Sequence, residues 1–459
     1  MAVFDTIFRQ YDIRGIYGQE LTETDAERIG WAFGKYIQAR SINKAIVGMD
    51  NRPSSPVLKA AIIRGIQAAG PDVVDIGTVV TPVFYFATIH LGIPAGIMVT
   101  ASHNPAQYNG FKVQVGSRTL YGAELQELKD LANTVSAIGE PKSKLHYRSV
   151  TEDYIRLITE KVKLGPRKLK VVVDTGNGTA GLFVPEIMER LGCEVIKLYC
   201  DSDPTFPNHF PDPTKVENLK DLRRTVLENQ ADLGLGFDGD GDRLGVVDNT
   251  GEIIWGDKLM VLFWREILPK YPGADAIIEV KCSDILVDEV KRLGGKPMFY
   301  KTGHSLIKAK MKEINAVFTG EMSGHMFFAD EYYGYDDAIY AAARLLRILS
   351  NSDQTLHDML ADLPKTCASP EIRIPCAEQD KPIYVEQARR ELAKVADSII
   401  DVDGVRASFP GGWCLVRASN TGPELIARYE GKDAATADKI RAALEQALHP
   451  LKLDYPPVA

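Results

Sequence analysis

The chain has 459 residues, 45% of them hydrophobic and 25% charged, with a net charge of -8. That composition is globular and too long for one core, and with no block of basic residues it offers no nucleic-acid surface. No apolar run reaches bilayer length, no basic-then-apolar leader opens MAVFDTIFRQYDIRG, and the six cysteines form no C-x-x-C pair, so a cytoplasmic protein with buried, reduced thiols is expected.

Near the start, RQYDIRG sets Arg9, Tyr11 and Arg14 close together. The first regular unit is KAIVGMD, then SSPVLKAAIIRGIQAAG, then DVVDIG. A short apolar run, a helical repeat and a second apolar run predict a β-α-β unit with parallel strands. The stretch GIMVTASHNPAQYNGFKV follows, in which a buried strand stops at small polar residues around Ser102 and His103. Two readings stand, a plain turn or a catalytic loop with Lys112 ten residues on. A Ser-His-Asp triad is not expected, because G-x-S-x-G is absent and neighbouring residues rarely aim their side chains at each other. IGEPKSKLHYRSV, residues 138–150, reads as a linker into a helix.

LKVVVDTGNGTA, GLFVPEIMERLG and CEVIKLY form the second β-α-β unit. Its GNGTAG matches a dinucleotide glycine pattern in letters. The next strand ends without the acidic residue that motif requires, so nucleotide binding is disfavoured. LGLGFDGDGDRLGVVD then places Asp238, Asp240 and Asp242 at alternate positions between two apolar strands. Three carboxylates so close repel one another. The loop is either a solvated acidic turn or a site for a hard, oxygen-seeking cation. It is not an EF-hand, because Arg243 and Asn249 stand where that loop needs Gly and Glu. Arg243 beside the carboxylates suggests an anion such as a phosphate ester.

ADAIIEVKC, SDILVDEVKRLGG and KPMFY make a third unit, followed by KTGHS and TGEMSGHMFF with Lys301, His304, Glu321, Ser323 and His325. These side chains suit sugar hydroxyls. Zinc is disfavoured by the missing H-x-x-x-H spacing, and each histidine alone could be an ordinary polar residue. After LPKTCASP the character changes: IRIPC, ASFPGGWCLVRAS and ELIARYEG read as antiparallel strands, and ATADKIRAALEQAL as a helix. LVRASNTGPELIARYEG clusters Arg417, Ser419, Asn420, Thr421 and Gly422. That is a phosphate grip or a β-turn. The expected architecture is three related mixed α/β domains, residues 1–150, 151–255 and 256–367, and a smaller C-terminal α+β domain, residues 368–459, around a central cleft.

Four loops in this order, TASHNP, DGDGDR, GEMSGH and RASNTGP, resemble those of the α-D-phosphohexomutase family over essentially the full length. The resemblance implies that Ser102 carries a phosphoryl group and that Asp238, Asp240 and Asp242 hold Mg²⁺ with one phosphoserine oxygen. It implies that Glu321 and Ser323 read the sugar O3 and O4, and that Arg417, Ser419, Asn420 and Thr421 grip the phosphate remote from the reaction. Tyr11, Arg14, Lys112, Arg243, Lys281, His304 and His325 would line the cleft, with Lys112 and His304, then His325, as acid–base candidates. GEMSGH is similar to the branch that interconverts mannose and glucose phosphates, whereas the glucosamine-phosphate branch typically has Gln where Met322 stands. Gln107 departs from the acidic residue often found there, outside the proposed chemistry. The implied activity is transfer between O1 and O6 through phosphoserine and a hexose 1,6-bisphosphate, which is both intermediate and activator, in a monomer. Three rivals stand beside it: phosphoglucosamine mutase, a Mg²⁺-dependent sugar phosphatase, and a silent sugar-phosphate-binding protein.

Overall fold

The computed structural model describes residues 5–116, 118–135, 137–420 and 422–449. Each of the three predicted units folds as β-α-β with its strands in parallel register: Lys44–Met49 with Asp72–Thr78, Lys170–Asp174 with Glu194–Leu198, and Asp275–Glu279 with Lys296–Tyr300. Between them run the helices Ser55–Ala69, Val184–Arg190 and Asp284–Arg292. Each sheet also carries antiparallel strands, so all three are mixed. In the first, Tyr108–Val115 turns back against Ala95–Val99. In the second, Leu244–Asp248 turns back against Leu233–Phe237. In the third, Met326–Phe328 pairs with Phe318–Gly320.

Segment 138–150 is more than the linker expected from its composition. Leu145–Tyr147 adds to the first sheet as a parallel edge strand beside Asp72–Thr78. Side-chain polarity did not reveal this, because an edge strand needs only free backbone groups to pair with. The helix expected after it is Thr151–Lys161.

The fourth sheet is antiparallel throughout. Gly412–Ala418 lies between Val405–Phe409 and Glu424–Gly431, and Ile372–Pro375 also pairs with Glu424–Gly431. Helices Lys381–Leu392 and Ala434–Leu448 complete this domain. Its core, including Ile374, Leu392, Val416 and Leu444, is separate from the others. One apolar cluster, by contrast, runs from Phe84 through Tyr154 and Phe183 to Leu259 and Tyr340, and so joins the first three domains. The seam to the fourth domain is thin, with Val280, Trp413 and Leu415 as its buried members. Arg406 closes it by stacking over Trp413 and donating to the carbonyls of Val280 and Cys282. Among the described residues no helix is long and apolar enough to cross a membrane, and the six cysteines are unpaired.

Candidate active site

Strand Ala95–Val99 is buried along its whole length and is followed by Thr100, whose hydroxyl accepts the Ser102 N–H. Ser102 then adopts φ 53°, a left-handed conformation that costs a non-glycine residue about 1 kcal/mol or more. Arg52 holds it there. This guanidinium, 1% exposed, donates to the carbonyls of Ser102, Asn104, Pro105 and Tyr108 and to the Asp50 carboxylate. The turn brings Ser102 Oγ to 3.1 Å from His103 Nδ1. The expectation that these neighbours would point apart is therefore corrected, and the reason is the left-handed turn. Enclosure, with Arg243 and Arg14 nearby, keeps the His103 ring well below its ordinary pKa and so neutral.

Ser102 Oγ also donates to Asp238 Oδ2 at 2.7 Å. Asp238, Asp240 and Asp242 are fully buried, and their ligand oxygens lie within 4.8 Å of one another. The solvated-turn reading is therefore excluded. Burial first, then Asp242 and Asp240, push the Asp238 carboxyl well above its usual range. Lys112 answers part of the charge, donating to Asp240 at 2.7 Å and Asp242 at 2.5 Å. Burial alone would favour neutral Lys112, but these two carboxylates outweigh it and hold the ammonium charged. Asp240 Oδ1 and Asp242 Oδ1 remain buried without a hydrogen-bond partner. Orphaned anionic oxygens facing one another are what a hard divalent cation would satisfy, so the donor set fits a metal centre. The serine and acidic loops meet backbone to backbone. A Cβ on Gly239 would stand 2.5 Å from the Ser102 carbonyl oxygen, so only glycine fits.

The GNGTAG loop serves this junction. Asn51, beside Arg52, donates its backbone N–H to Thr179 Oγ1 and its amide to the Asn177 carbonyl. The glycine pattern is thus covered by the first domain.

Arg243 leads from the acidic loop to the third domain, its Nε donating to His325 Nε2 at 3.0 Å. His325 stacks on His304 with ring centroids 5.5 Å apart. Burial, reinforced by Lys308, keeps His304 well below the usual imidazole range. In the next loop, Glu321 Oε1 accepts the Gly303 N–H at 3.0 Å, and Ser323 donates to Glu321 Oε2 at 3.0 Å. Thr302 links three domains: its carbonyl accepts the Tyr11 hydroxyl at 2.9 Å and the Asn420 amide at 3.4 Å. Arg14 pairs with Asp12 and donates to Asn104 in the serine loop.

In the fourth domain Arg417, 3% exposed, donates Nε to Asp403 at 2.9 Å, while its Nη2 is buried without a partner. Ser419 Oγ accepts the Gly422 N–H, and Lys381 braces this turn by donating to the Ser419 and Gly422 carbonyls. Thr421 lies outside the described residues. Lys281 is turned toward the seam between the third and fourth domains, 2.6 Å from Glu371 and 3.7 Å from Glu279.

Sequence reasoning missed Arg52, Asp336 and Lys308. Arg52 had a usable signal, because MDNRPSS also ends a strand in the first unit. Asp336 had none. A separate cavity of about 580 Å³, lined by Leu262, Arg265, Glu266, Lys270, Arg347 and others, includes none of the loop residues. Its cations are already paired with Glu289, Asp362, Glu266 and Glu331, which argues against a phosphate there.

Four family models match the chain in order. Phosphoglucomutase/phosphomannomutase alpha/beta/alpha domains I, II and III cover residues 5–137, 152–251 and 255–367, and the C-terminal domain of the same family covers 371–447. The chain is 43% identical over 457 residues to a phosphomannomutase/phosphoglucomutase of Pseudomonas aeruginosa, covering 98% of this chain and 97% of that one. It is 41% identical over 438 residues to a phosphoglucomutase of Neisseria gonorrhoeae, covering 95% of each. Among solved structures, a phosphoglucomutase/phosphomannomutase family protein from Burkholderia thailandensis superposes with a TM-score of 0.92 at 39% identity, over 99% of this chain and 100% of that one.

Proposed function

The chain belongs to the phosphoglucomutase/phosphomannomutase family of α-D-phosphohexomutases, and we propose that it moves a phosphoryl group reversibly between O1 and O6 of mannose and glucose phosphates. The observation that carries the reading is Ser102: a buried hydroxyl, held in a left-handed turn and bonded to Asp238 in a buried carboxylate triad.

In this scheme phosphoserine 102 donates to the free sugar hydroxyl. The sugar O–P bond forms as the serine O–P bond breaks, and the hydroxyl proton passes to a base. The bisphosphate turns end for end, and its other phosphoryl group returns to Ser102 Oγ. Ser102, Asp238, Asp240 and Asp242 would hold Mg²⁺, which when bound supplies positive charge to the transferring oxygens. Lys112, held as an ammonium, suits charge stabilisation. His304, held neutral, suits the base, with His325 beside it.

Arg417 has an unused donor for the non-reacting phosphate, which Ser419, Asn420 and Thr421 would help to grip. Tyr11, Arg14, Arg243 and Lys281 would complete the anion-binding wall. Glu321 and Ser323 are suited to O3 and O4, so a change at C2 would be tolerated. The four loops come from one chain, so the site needs no second copy, which fits a monomer. The unpaired thiols fit a reducing cytoplasm.

The test compares turnover on mannose, glucose and glucosamine 1-phosphates, primed with a trace of glucose 1,6-bisphosphate. Released inorganic phosphate is counted alongside. Isomer formation with little phosphate release is expected, and Ser102→Ala should bind sugar phosphate but not turn it over. Undiminished turnover by Ser102→Ala would defeat the mechanism. Phosphate release exceeding isomer formation would point to the phosphatase, and preference for glucosamine phosphate to phosphoglucosamine mutase.

A further inference from the structure

Asp336 is fully buried beside the two histidines of the third domain, and it lies outside the four loops. Its backbone is fixed on both sides. It forms a bridge with Phe327, two residues past His325, and the next residue, Asp337, caps helix Ala338–Ser350 through the Tyr340 N–H. One carboxylate oxygen, Oδ1, accepts Lys308 Nζ at 2.8 Å, and Lys308 also reaches the Tyr85 hydroxyl at 3.1 Å. The other, Oδ2, is buried and lies 3.2 Å from His325 Nδ1 and 3.7 Å from His304 Nδ1. All three of these facing atoms lack an aligned hydrogen bond. Such contacts are commonly loose before substrate binds and tighten in the reacting complex.

The polarity of the arrangement is unambiguous. Arg243 Nε–H can only donate, so His325 Nε2 must accept, and the proton of a neutral ring sits on Nδ1. That N–H faces Asp336 Oδ2, with Asp242 Oδ1 at 3.6 Å on the same side. We infer that Asp336 is a positioning residue for phosphoryl transfer, which locks His325 as the Nδ1–H tautomer and sets the orientation of the stacked His304. This inference rests on the mutase reading.

Asp336→Asn keeps the shape and reverses the polarity. Lys308 would retain the amide oxygen, leaving the NH2 group to face both Nδ1 atoms. His325 would then shift to the Nε2–H tautomer, against the Arg243 donor. The same change of tautomer explains why a buried aspartate-to-asparagine substitution disables a catalytic triad while sparing its geometry. We expect kcat to fall by roughly 100-fold or more, the scale of an acid–base contribution, with KM changed by less than about threefold. In the full-length protein labelled with ¹⁵N-histidine, the wild-type His325 signals should show a protonated Nδ1 and an accepting Nε2, and the variant should show the reverse.

Either a wild-type His325 that is predominantly Nε2–H, or Asp336→Asn with the reversed pattern but kcat within about threefold of wild type, overturns the inference. The wild-type spectrum decides the first point even if the variant does not fold. Absence of hexose-phosphate isomerisation by the wild type would defeat the mutase reading instead, leaving the tautomer result standing.

Discussion

Replacing Arg52 by alanine removes five donor bonds at once, four to carbonyls of the serine loop and one to Asp50. Asp50 is 2% exposed and would keep the Ser55 hydroxyl and the residue 52 backbone N–H. Breaking a buried pair from one side costs about 3–5 kcal/mol, because the abandoned charge stays buried. At about 3 °C per kcal/mol for a domain of this size, the first thermal transition should fall by roughly 10 °C or more. The catalytic consequence is separate. Without Arg52 the left-handed conformation at Ser102 keeps only the Thr100 and Asp238 bonds, so the loop should relax and Oγ should leave Asp238. Differential scanning calorimetry reads the first effect. Intact mass after incubation with glucose 1,6-bisphosphate reads the second, as the fraction of protein carrying one phosphoryl group. Arg52→Lys should fall between the two proteins, since an ammonium reaches fewer of the carbonyls. A transition within about 3 °C of wild type, with normal phosphoryl uptake, would refute the claim that Arg52 builds this loop.

Asp238→Asn should raise the stability of the metal-free protein by on the order of 2 kcal/mol by relieving crowded buried charge, while abolishing stabilisation by added Mg²⁺. Urea titrations with EDTA and with Mg²⁺ check both. Asp337, fully buried, is lifted to about 6 by burial, against the pull of the Tyr340 N–H and the Tyr332 and Tyr154 hydroxyls. Its folded value lies above its unfolded one, so the native state binds the proton more tightly. Its contribution is complete below about pH 4 and lost as pH rises to about 6, an effect of roughly 3 kcal/mol. Asp337→Asn should therefore compare better with wild type at pH 7 than at pH 4.5 in urea unfolding. Deleting residues 371–459 should leave the first three domains folded, because their shared core excludes the fourth, but should abolish efficient turnover. Circular dichroism and the mutase assay read the two outcomes, and a folded truncation with full activity would contradict the role given to Arg417.

The β-α-β units could be read along the chain because their signal is local. The runs KAIVGM, KVVVD and DAIIE announce strands, and the amphipathic segments after them announce helices. The four polar loops were legible for the same reason, each being a break at a strand end. The edge strand Leu145–Tyr147 was not legible, since its side chains carry no alternating pattern and its partner decides its conformation. Asp336 was hidden because one aspartate in EYYGYDDAIY looks like its neighbour Asp337, yet one faces two histidines and the other caps a helix.

Local order along the chain thus determined the strands, the helices and the chemical types at each strand end. Only the tertiary structure decided what those types do. Whether Ser102 Oγ and His103 Nδ1 meet depends on the sign of one backbone angle, and that sign is held by Arg52, fifty positions earlier. Whether three aspartates form a solvated turn or a cation site depends on burial, which Ser102, Thr81 and Lys112 of another domain complete. These contacts are strong because water is kept from the charges they pair, and water is excluded only where distant segments close over them.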